Sequence, residues 1–372
     1  MKTIDRRKWL KTAGLGSGFA LLGGLNSIQA SQIENLSTHY NNSIAKLNSN
    51  ENPFGPSKNV RTAITKAFDN ACRYPSIVFR SLLEQIAETE GVSVDHITIT
   101  GGSTEGLKAT GLTYGIDGGE IIAADPTFQA MLRYAEGFGA YVHRVPVDEK
   151  MGHDLNAMAM RITNKTRLVF VCNPNNPTGT LIDKDELKDF CSSISKKAVV
   201  FSDEAYYDFI MEANYPSMVE LVKEGMNVIV SKTFSKVYGL AGMRIGYLVA
   251  RPDITSRLRK NIMAMTNVLA IEAAKEALKD DEFYKFSLLK NVEAKNKIYK
   301  TLDDLNLEYT KSHTNFVFFK TGRPISEMIT AMKEENVMIG RPFPPFYDWC
   351  RISTGTMESM EQFDRALKKV MG

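Results

Sequence analysis

The chain of 372 residues lacks most of the features that mark a function class at sight. No apolar run reaches the roughly 20 residues that a membrane-crossing helix needs. The four cysteines, Cys72, Cys172, Cys191 and Cys350, are far apart and form no C-x-x-C pair, which leaves zinc and thioredoxin-like readings without support. They read as small buried hydrophobes, with any pairing left open. The net charge is only +3 and gives no reason to invoke nucleic acid. No G-x-G-x-x-G follows the first strand-like segment, which counts against an NAD-binding enzyme. Internal repeats and low-complexity linkers are absent after the first thirty residues. What is left is an ordinary globular composition, 43% hydrophobic and 24% charged, long enough for about two domains.

The N-terminus departs from that composition. Met1 to Lys11 is basic and contains Arg6-Arg7. An apolar, glycine-rich run follows from about Thr12 to Leu25, then a short polar stretch ending in Gln29-Ala30-Ser31. This is the three-part layout of a secretory signal. The paired arginines followed by Lys8-Trp9-Leu10-Lys11 resemble a twin-arginine signal. The expectation is a signal over residues 1–30, cleavage after Ala30 and a periplasmic or exported protein that meets the membrane only in transit. A basic tail on a cytoplasmic protein is the alternative.

Through the middle of the chain one unit recurs: a short apolar, β-branched run that ends abruptly in polar or glycine residues. Ile97–Thr100 leads into Gly101-Gly102-Ser103-Thr104, and Glu120–Ala124 into Asp125-Pro126-Thr127-Phe128. Leu168–Val171 leads into Cys172-Asn173-Pro174, Ala198–Phe201 into Ser202-Asp203-Glu204, and Val228–Val230 into Ser231-Lys232-Thr233. Runs without polar alternation fit strands buried on both faces of a parallel sheet. In open α/β sheets ligands bind beyond the carboxyl ends of the strands, where these special residues cluster. The expected fold class is α/β, with a large domain of mostly parallel sheet sandwiched by helices and a smaller α+β domain. After Arg251-Pro252 a long charged, helix-like stretch runs to about Leu305. Strand-like Asn315–Phe319, a helix near Ile325–Glu335 and a strand near Val337–Ile339 follow. The expected boundaries are 31–65 for a segment joining the small domain, 66–260 for the large domain and 261–372 for the small one.

Several of these strand ends carry candidate chemistry. A lysine at a strand end forms an imine once its ammonium is partly neutralised, and Lys236 sits in such a turn. Lys232 reads as a solvated loop lysine. Thr233 and Arg244 offer a hydroxyl and a fork of donors suited to a phosphate dianion. Gly102, Ser103 and Thr104 stand at an expected helix start, whose N–H groups bind phosphate. Asp203 ends a buried strand and Tyr206 follows it. A pyridoxal phosphate ring needs such an anion beside its nitrogen and is tuned by a phenol. A helix N-cap is the plainer role for Asp203. Asn176 lies in the Asn-Pro turn Cys172–Gly179, and Phe128 is placed to stack on a ring or simply to fill the core.

Together these motifs resemble the fold-type I pyridoxal phosphate enzymes of aminotransferase class I and II, and within them the histidinol-phosphate aminotransferase group. The similarity runs from about Ile44 to the C-terminus and includes Lys46–Ser57 (KLNSNENPFGPS) and Arg73-Tyr74-Pro75. The resemblance implies that Lys236 carries the cofactor as a Schiff base, Asp203 pairs with the ring nitrogen, and Tyr206 and Asn176 contact the ring oxygen. It implies that Phe128 stacks on the ring, while Gly102, Ser103, Thr104, Thr233 and Arg244 hold the phosphate. It places Arg351, Arg341 and Asn52 at the substrate. It also implies a homodimer in which Tyr74 reaches the neighbouring subunit's phosphate. The substrates it implies are an amino acid and a 2-oxo acid. Two departures, Thr104 where that group often has Asp and the proline- and aromatic-rich Pro342–Cys350, leave an aromatic or other amino acid open as donor. Decarboxylation and C–S lysis on the same scaffold stay open too. A non-enzymatic regulator would be expected to lack the lysine or to carry a DNA-binding region.

Overall fold

The computed structural model describes residues 44–372. The expected signal over Met1 to Ala30 lies outside the described residues. A short strand, β1 (Ala45–Lys46), opens the described chain. Seven strands then build the main sheet: β2 (Ile97–Thr100), β3 (Glu120–Asp125), β4 (Tyr141–Pro146), β5 (Thr166–Cys172), β6 (Val199–Asp203), β7 (Val228–Thr233) and β8 (Gly246–Ala250). Their order across the sheet is β2-β8-β7-β6-β5-β3-β4. β8 runs antiparallel to both β2 and β7, and the other pairs are parallel.

The burial pattern explains the sequence pattern. β5 and β6 are covered on both faces, so they read as unbroken apolar runs. β4 lies at the edge and buries only Val142 and Val145. Helix Ser103–Gly115 covers one face with Leu107 against Phe170, Phe201 and Leu248 of that core. Helices Ser76–Glu90, Lys184–Ile194 and Val268–Ala277 cover the other face.

The smaller unit is built on β9 (Phe316–Lys320), β10 (Val337–Met338) and β11 (Trp349–Ser353). β11 pairs antiparallel with β9, and β1 pairs parallel with β10. Helices Asp281–Asp304, Ile325–Glu334 and Met357–Met371 pack around them. No helix of the described residues is long and apolar enough to cross a membrane.

Two expectations about organisation need correcting. The helix-like stretch from Asp253 to Leu305 is three helices, Pro252–Arg259, Val268–Ala277 and Asp281–Asp304. The side chains of Asn267 and Asp280 accept N–H groups at the second and third starts, and so set the breaks. The large unit also extends past residue 260. Helix Val268–Ala277 buries Ala270, Ile271, Ala273 and Ala274 in the large core, and helix Lys58–Ala67 adds Val60 to it. Of the N-terminal segment, Ala45 and Leu47 join the small core.

That segment crosses directly over the loop that carries Lys236. Gly55 and Gly239 touch backbone to backbone, and a Cβ on Gly239 would lie 2.5 Å from the Gly55 Cα. Gly239 also holds φ at +68°, a conformation costly for any other side chain. Gly239→Ala is expected to lower the unfolding free energy by about 1–3 kcal/mol and to weaken cofactor retention. Denaturant melts, with and without added pyridoxal phosphate, measure both effects.

Candidate active site

Asp203 is the last residue of β6, only 2% exposed, and its carboxylate accepts the Ala205 N–H at 3.2 Å. Burial pushes its carboxyl up to about 7, although the Lys236 ammonium opposes the shift. Lys236 enters from the loop after β7. Its Nζ donates to the Asn50 carbonyl at 2.8 Å and lies 5.5 Å from the centre of the Tyr206 ring. Burial pulls its ammonium down to about 8, and the Arg351 and Arg244 guanidinium groups add to the shift. Each group thus stands poised between its charged and neutral forms near physiological pH. A carboxylate in this position suits a cationic ring nitrogen, and an amine in this state suits attack on a carbonyl.

Hydrogen bonds connect the pair to its surroundings. The Tyr206 hydroxyl accepts from Asn50 Nδ2 at 2.8 Å and from Asn176 Nδ2 at 3.3 Å. Burial pushes the Tyr206 phenol up. Asn176 Oδ1 accepts Arg351 Nη1 at 2.8 Å. Asn50 Oδ1 accepts the Ser353 hydroxyl at 2.6 Å, which ties the N-terminal segment to β11.

A second group of donors forms beyond β2, β7 and β8. Gly102 has φ +80°, and Ser103 and Thr104 then begin a 13-residue helix whose first N–H groups have no helical partner. The Arg244 guanidinium lies against Gly102, where a Cβ would sit 2.8 Å from Cζ. Only glycine fits there. Thr233 Oγ1 donates to Ser235 Oγ at 3.0 Å, and Arg244 Nη1 approaches Ser235 Oγ at 3.5 Å. Hydroxyls, a guanidinium and a helix N-terminus converge, which is the donor set a phosphate dianion calls for. Phe128, half-buried after β3, packs against the core on the Asp203 side of the sheet.

Arg351 marks the substrate side. It is buried, and among the described residues it has no carboxylate partner. Its Nη2 donates to the Asn48 carbonyl at 3.1 Å, while Nε has no partner. Burial pulls it down to about 10, and Arg341 reinforces the shift. The Arg341 and Arg351 guanidinium carbons lie 4.3 and 4.9 Å from the centre of the Phe343 ring.

The structure does not bring every expected residue to the site. Asn52 uses its amide to brace the fold, donating to the Val237 carbonyl at 2.8 Å and to Ser287 Oγ at 2.9 Å while accepting the Phe54 N–H. Asn50, two residues earlier, takes the site position instead. Ser235 is a second residue absent from the sequence reading. Tyr74 is 93% exposed, away from its own chain's site.

Comparison with known proteins agrees with this geometry. The family profile for aminotransferase class I and II matches residues 42–370. The chain belongs to the class I and II aminotransferases. This aminotransferase is 39% identical over 331 residues to a histidinol-phosphate aminotransferase of Moorella thermoacetica, covering 88% of this chain and 86% of that one. It is 33% identical to histidinol-phosphate aminotransferase 1 of Bacillus cereus, covering 92% and 94%. The crystal structure of histidinol-phosphate aminotransferase from Sinorhizobium meliloti in complex with pyridoxal 5′-phosphate superimposes with a TM-score of 0.81 at 25% identity, covering 97% of this chain and 99% of that one. The cofactor of the aminotransferase is pyridoxal phosphate. The donor set around Gly102 and Arg244 fits its phosphate, Asp203 its ring nitrogen and Lys236 its aldehyde.

The charge state of Asp203 yields a stability prediction. With its folded value raised to about 7, the cofactor-free protein loses stability as pH rises from about 4 through 7. Asp203→Asn mimics the protonated form. It is expected to stabilise the cofactor-free protein by a few kcal/mol at most, with the gain growing from pH 4 to 7 and level above that. Turnover of the loaded enzyme is expected to fall by about 10²–10³-fold. Thermal melts of cofactor-free protein across pH, with single-turnover rates beside them, check both parts.

Proposed function

We propose that the aminotransferase takes its amino group from histidinol phosphate or a closely related phosphorylated amine and passes it to a 2-oxo acid. The observation that carries this reading is the Arg351 guanidinium, buried with no carboxylate partner among the described residues and sharing the Phe343 ring with Arg341. Two cations at one end of a site suit a dianionic phosphate, and the same fork holds the carboxylate of a 2-oxo acid. The similarity to histidinol-phosphate aminotransferases at 33–39% identity supports the phosphorylated donor.

Bound pyridoxal phosphate supplies a carbonyl and a ring able to accept electron density. The chain's own residues do the rest. Arg351 and Arg341 fix the anionic end of the substrate and so aim its α-carbon. Lys236, whose buried ammonium is pulled down to about 8, would serve as the base for the substrate α-proton and then as the acid that gives it back. Asp203 would keep the ring nitrogen protonated. Tyr206 and Asn176 would hold the ring oxygen, and Asn50 links that pair to the lysine.

An aromatic amino acid as donor is the second reading. Phe343, Phe346 and Trp349 cluster with Phe318 next to the two arginines and make a wall suited to an aromatic side chain. The fold does not choose between reaction types, since an L-threonine-O-3-phosphate decarboxylase of Porphyromonas gingivalis shares it with a TM-score of 0.75 at 21% identity.

We also propose a homodimer and export. Phe68, Tyr74 and Ile77 are exposed close together in sequence, which supports a surface covered by a second copy. The Arg6-Arg7 segment supports the twin-arginine route, by which a protein crosses already folded around its cofactor. Cell fractionation of the native chain and an Arg6→Lys/Arg7→Lys variant tests this, and a cytoplasmic location for both would refute export.

The donor is read by mixing purified enzyme with single amino compounds and following loss of the cofactor's visible band. Histidinol phosphate is expected to bleach the band, and Lys236→Ala to abolish the response. Arg341→Gln is expected to raise the KM for a phosphorylated donor about 10–100-fold with little change in kcat. Bleaching by phenylalanine or tyrosine but not by histidinol phosphate would transfer the assignment to the aromatic reading.

A further inference from the structure

Lys232 is not the solvated loop lysine that its place in the sequence suggests. Its Nζ lies 2.9 Å from both carboxylate oxygens of Glu90 and 3.8 Å from Glu204 Oε2. Strand alternation explains the arrangement. Asp203 of β6 and Thr233 of β7 face the cofactor side, and their neighbours Glu204 and Lys232 face the opposite side of the same sheet edge. There helix Ser76–Glu90 supplies Glu90 from its last residue, and Tyr247 of β8 donates its hydroxyl to Glu90 Oε1 at 2.6 Å. The Tyr207 ring lies 5.0 Å from Lys232 Nζ. The Ser217 hydroxyl and the Met218 N–H both donate to Glu204 at 2.7 Å.

We propose that the Glu90–Lys232–Glu204 cluster sets the charge balance behind Asp203, and through it how firmly the cofactor's ring nitrogen keeps its proton. These are positioning residues, since none faces the reacting atoms. Two carboxylates face one ammonium one residue from Asp203; burial raises the Glu204 carboxyl, and the Lys232 ammonium opposes that shift. Glu204 is among the charges that raise the Asp203 carboxyl. The other groups facing Glu204 are Cys191 and Tyr215, and burial keeps both neutral. On the cofactor side the groups facing Asp203 are Lys236, Tyr206 and Cys172, of which only Lys236 bears charge. Glu51 is the other carboxylate that acts on Lys236, from the opposite side of the lysine, whereas Glu204 acts on Asp203 from behind the sheet. A negative potential there favours a positive ring nitrogen and a protonated lysine–cofactor linkage, both needed to draw electrons from the substrate.

A merely structural staple would give a different result from a charge-setting group. The test is a pH titration of the bound cofactor's visible absorbance in three variants. Glu204→Gln removes a negative charge and is expected to lower the titration midpoint by about half to one pH unit. Lys232→Met removes the positive charge and is expected to raise it by a similar amount. Lys232→Arg keeps the charge and is expected to titrate as the native enzyme does. Midpoints that stay put, or that move in the same direction in Glu204→Gln and Lys232→Met, overturn the proposal. Should Lys232→Met fail to fold, Glu204→Gln decides alone, and a midpoint that does not fall is fatal. The inference rests on bound pyridoxal phosphate, and the native spectrum reports that separately from the variants.

Discussion

The structure depends on an electrostatic mismatch sealed at the end of the central sheet. Asp203 is buried without a cation of its own strong enough to keep it ionised, and Lys236 is buried without an anion strong enough to keep it fully charged. Each is costly alone. A protonated ring and a carbonyl between them relieve both at once. Cofactor binding is then partly driven by the folding cost of the residues that receive it. The surrounding hydrogen bonds, from Asn50 to Tyr206 to Asn176 to Arg351, hold the two groups where that relief is possible.

The site belongs to neither structural unit. Asp203, Lys236, Tyr206 and the phosphate donors come from strand ends of the large unit, whereas Arg351 comes from β11 and Asn50 from the crossing segment. A small apolar cluster joins the units beneath them, with Ala205, Tyr206, Phe209 and Val237 meeting Leu288 and Phe316. Arg351 spans this junction through Asn176 and Asn48. A substrate anion on Arg351 is therefore felt at Asn176, and from there at the phenol beside the lysine.

Most of the large unit was legible because buried parallel strands read as plain apolar runs, and because function sits where those runs stop. Asp203, Lys236, Gly102 and Arg244 each stood at such a stop. β4 was hidden because, at the sheet edge, it buries only Val142 and Val145 among polar and exposed neighbours. β8 was hidden because it follows the lysine motif and runs antiparallel to its neighbours. Asn50 and Asn52 sit two apart on an extended chain, and only packing shows which of them faces the phenol. Lys232 reads as a solvated lysine for a similar reason, since its partner Glu90 lies 142 residues earlier. Long-range ion pairs leave no local pattern. The domain boundary was drawn too early because a charged, helix-rich composition continues across it.

The pairing of β1 with β10, and the Arg351–Asn48 and Ser353–Asn50 hydrogen bonds that span 303 positions, bear on how the molecule comes into being. The ribosome releases Asn48 and Asn50 near the beginning and Arg351 and Ser353 near the end. No partially synthesised chain can close its pocket, however well its central sheet has formed. The arginine neighbour of the reactive lysine therefore reaches the site only after β11 has been made and has met a segment 303 positions earlier, so the pocket is assembled from parts that the ribosome delivers far apart in time.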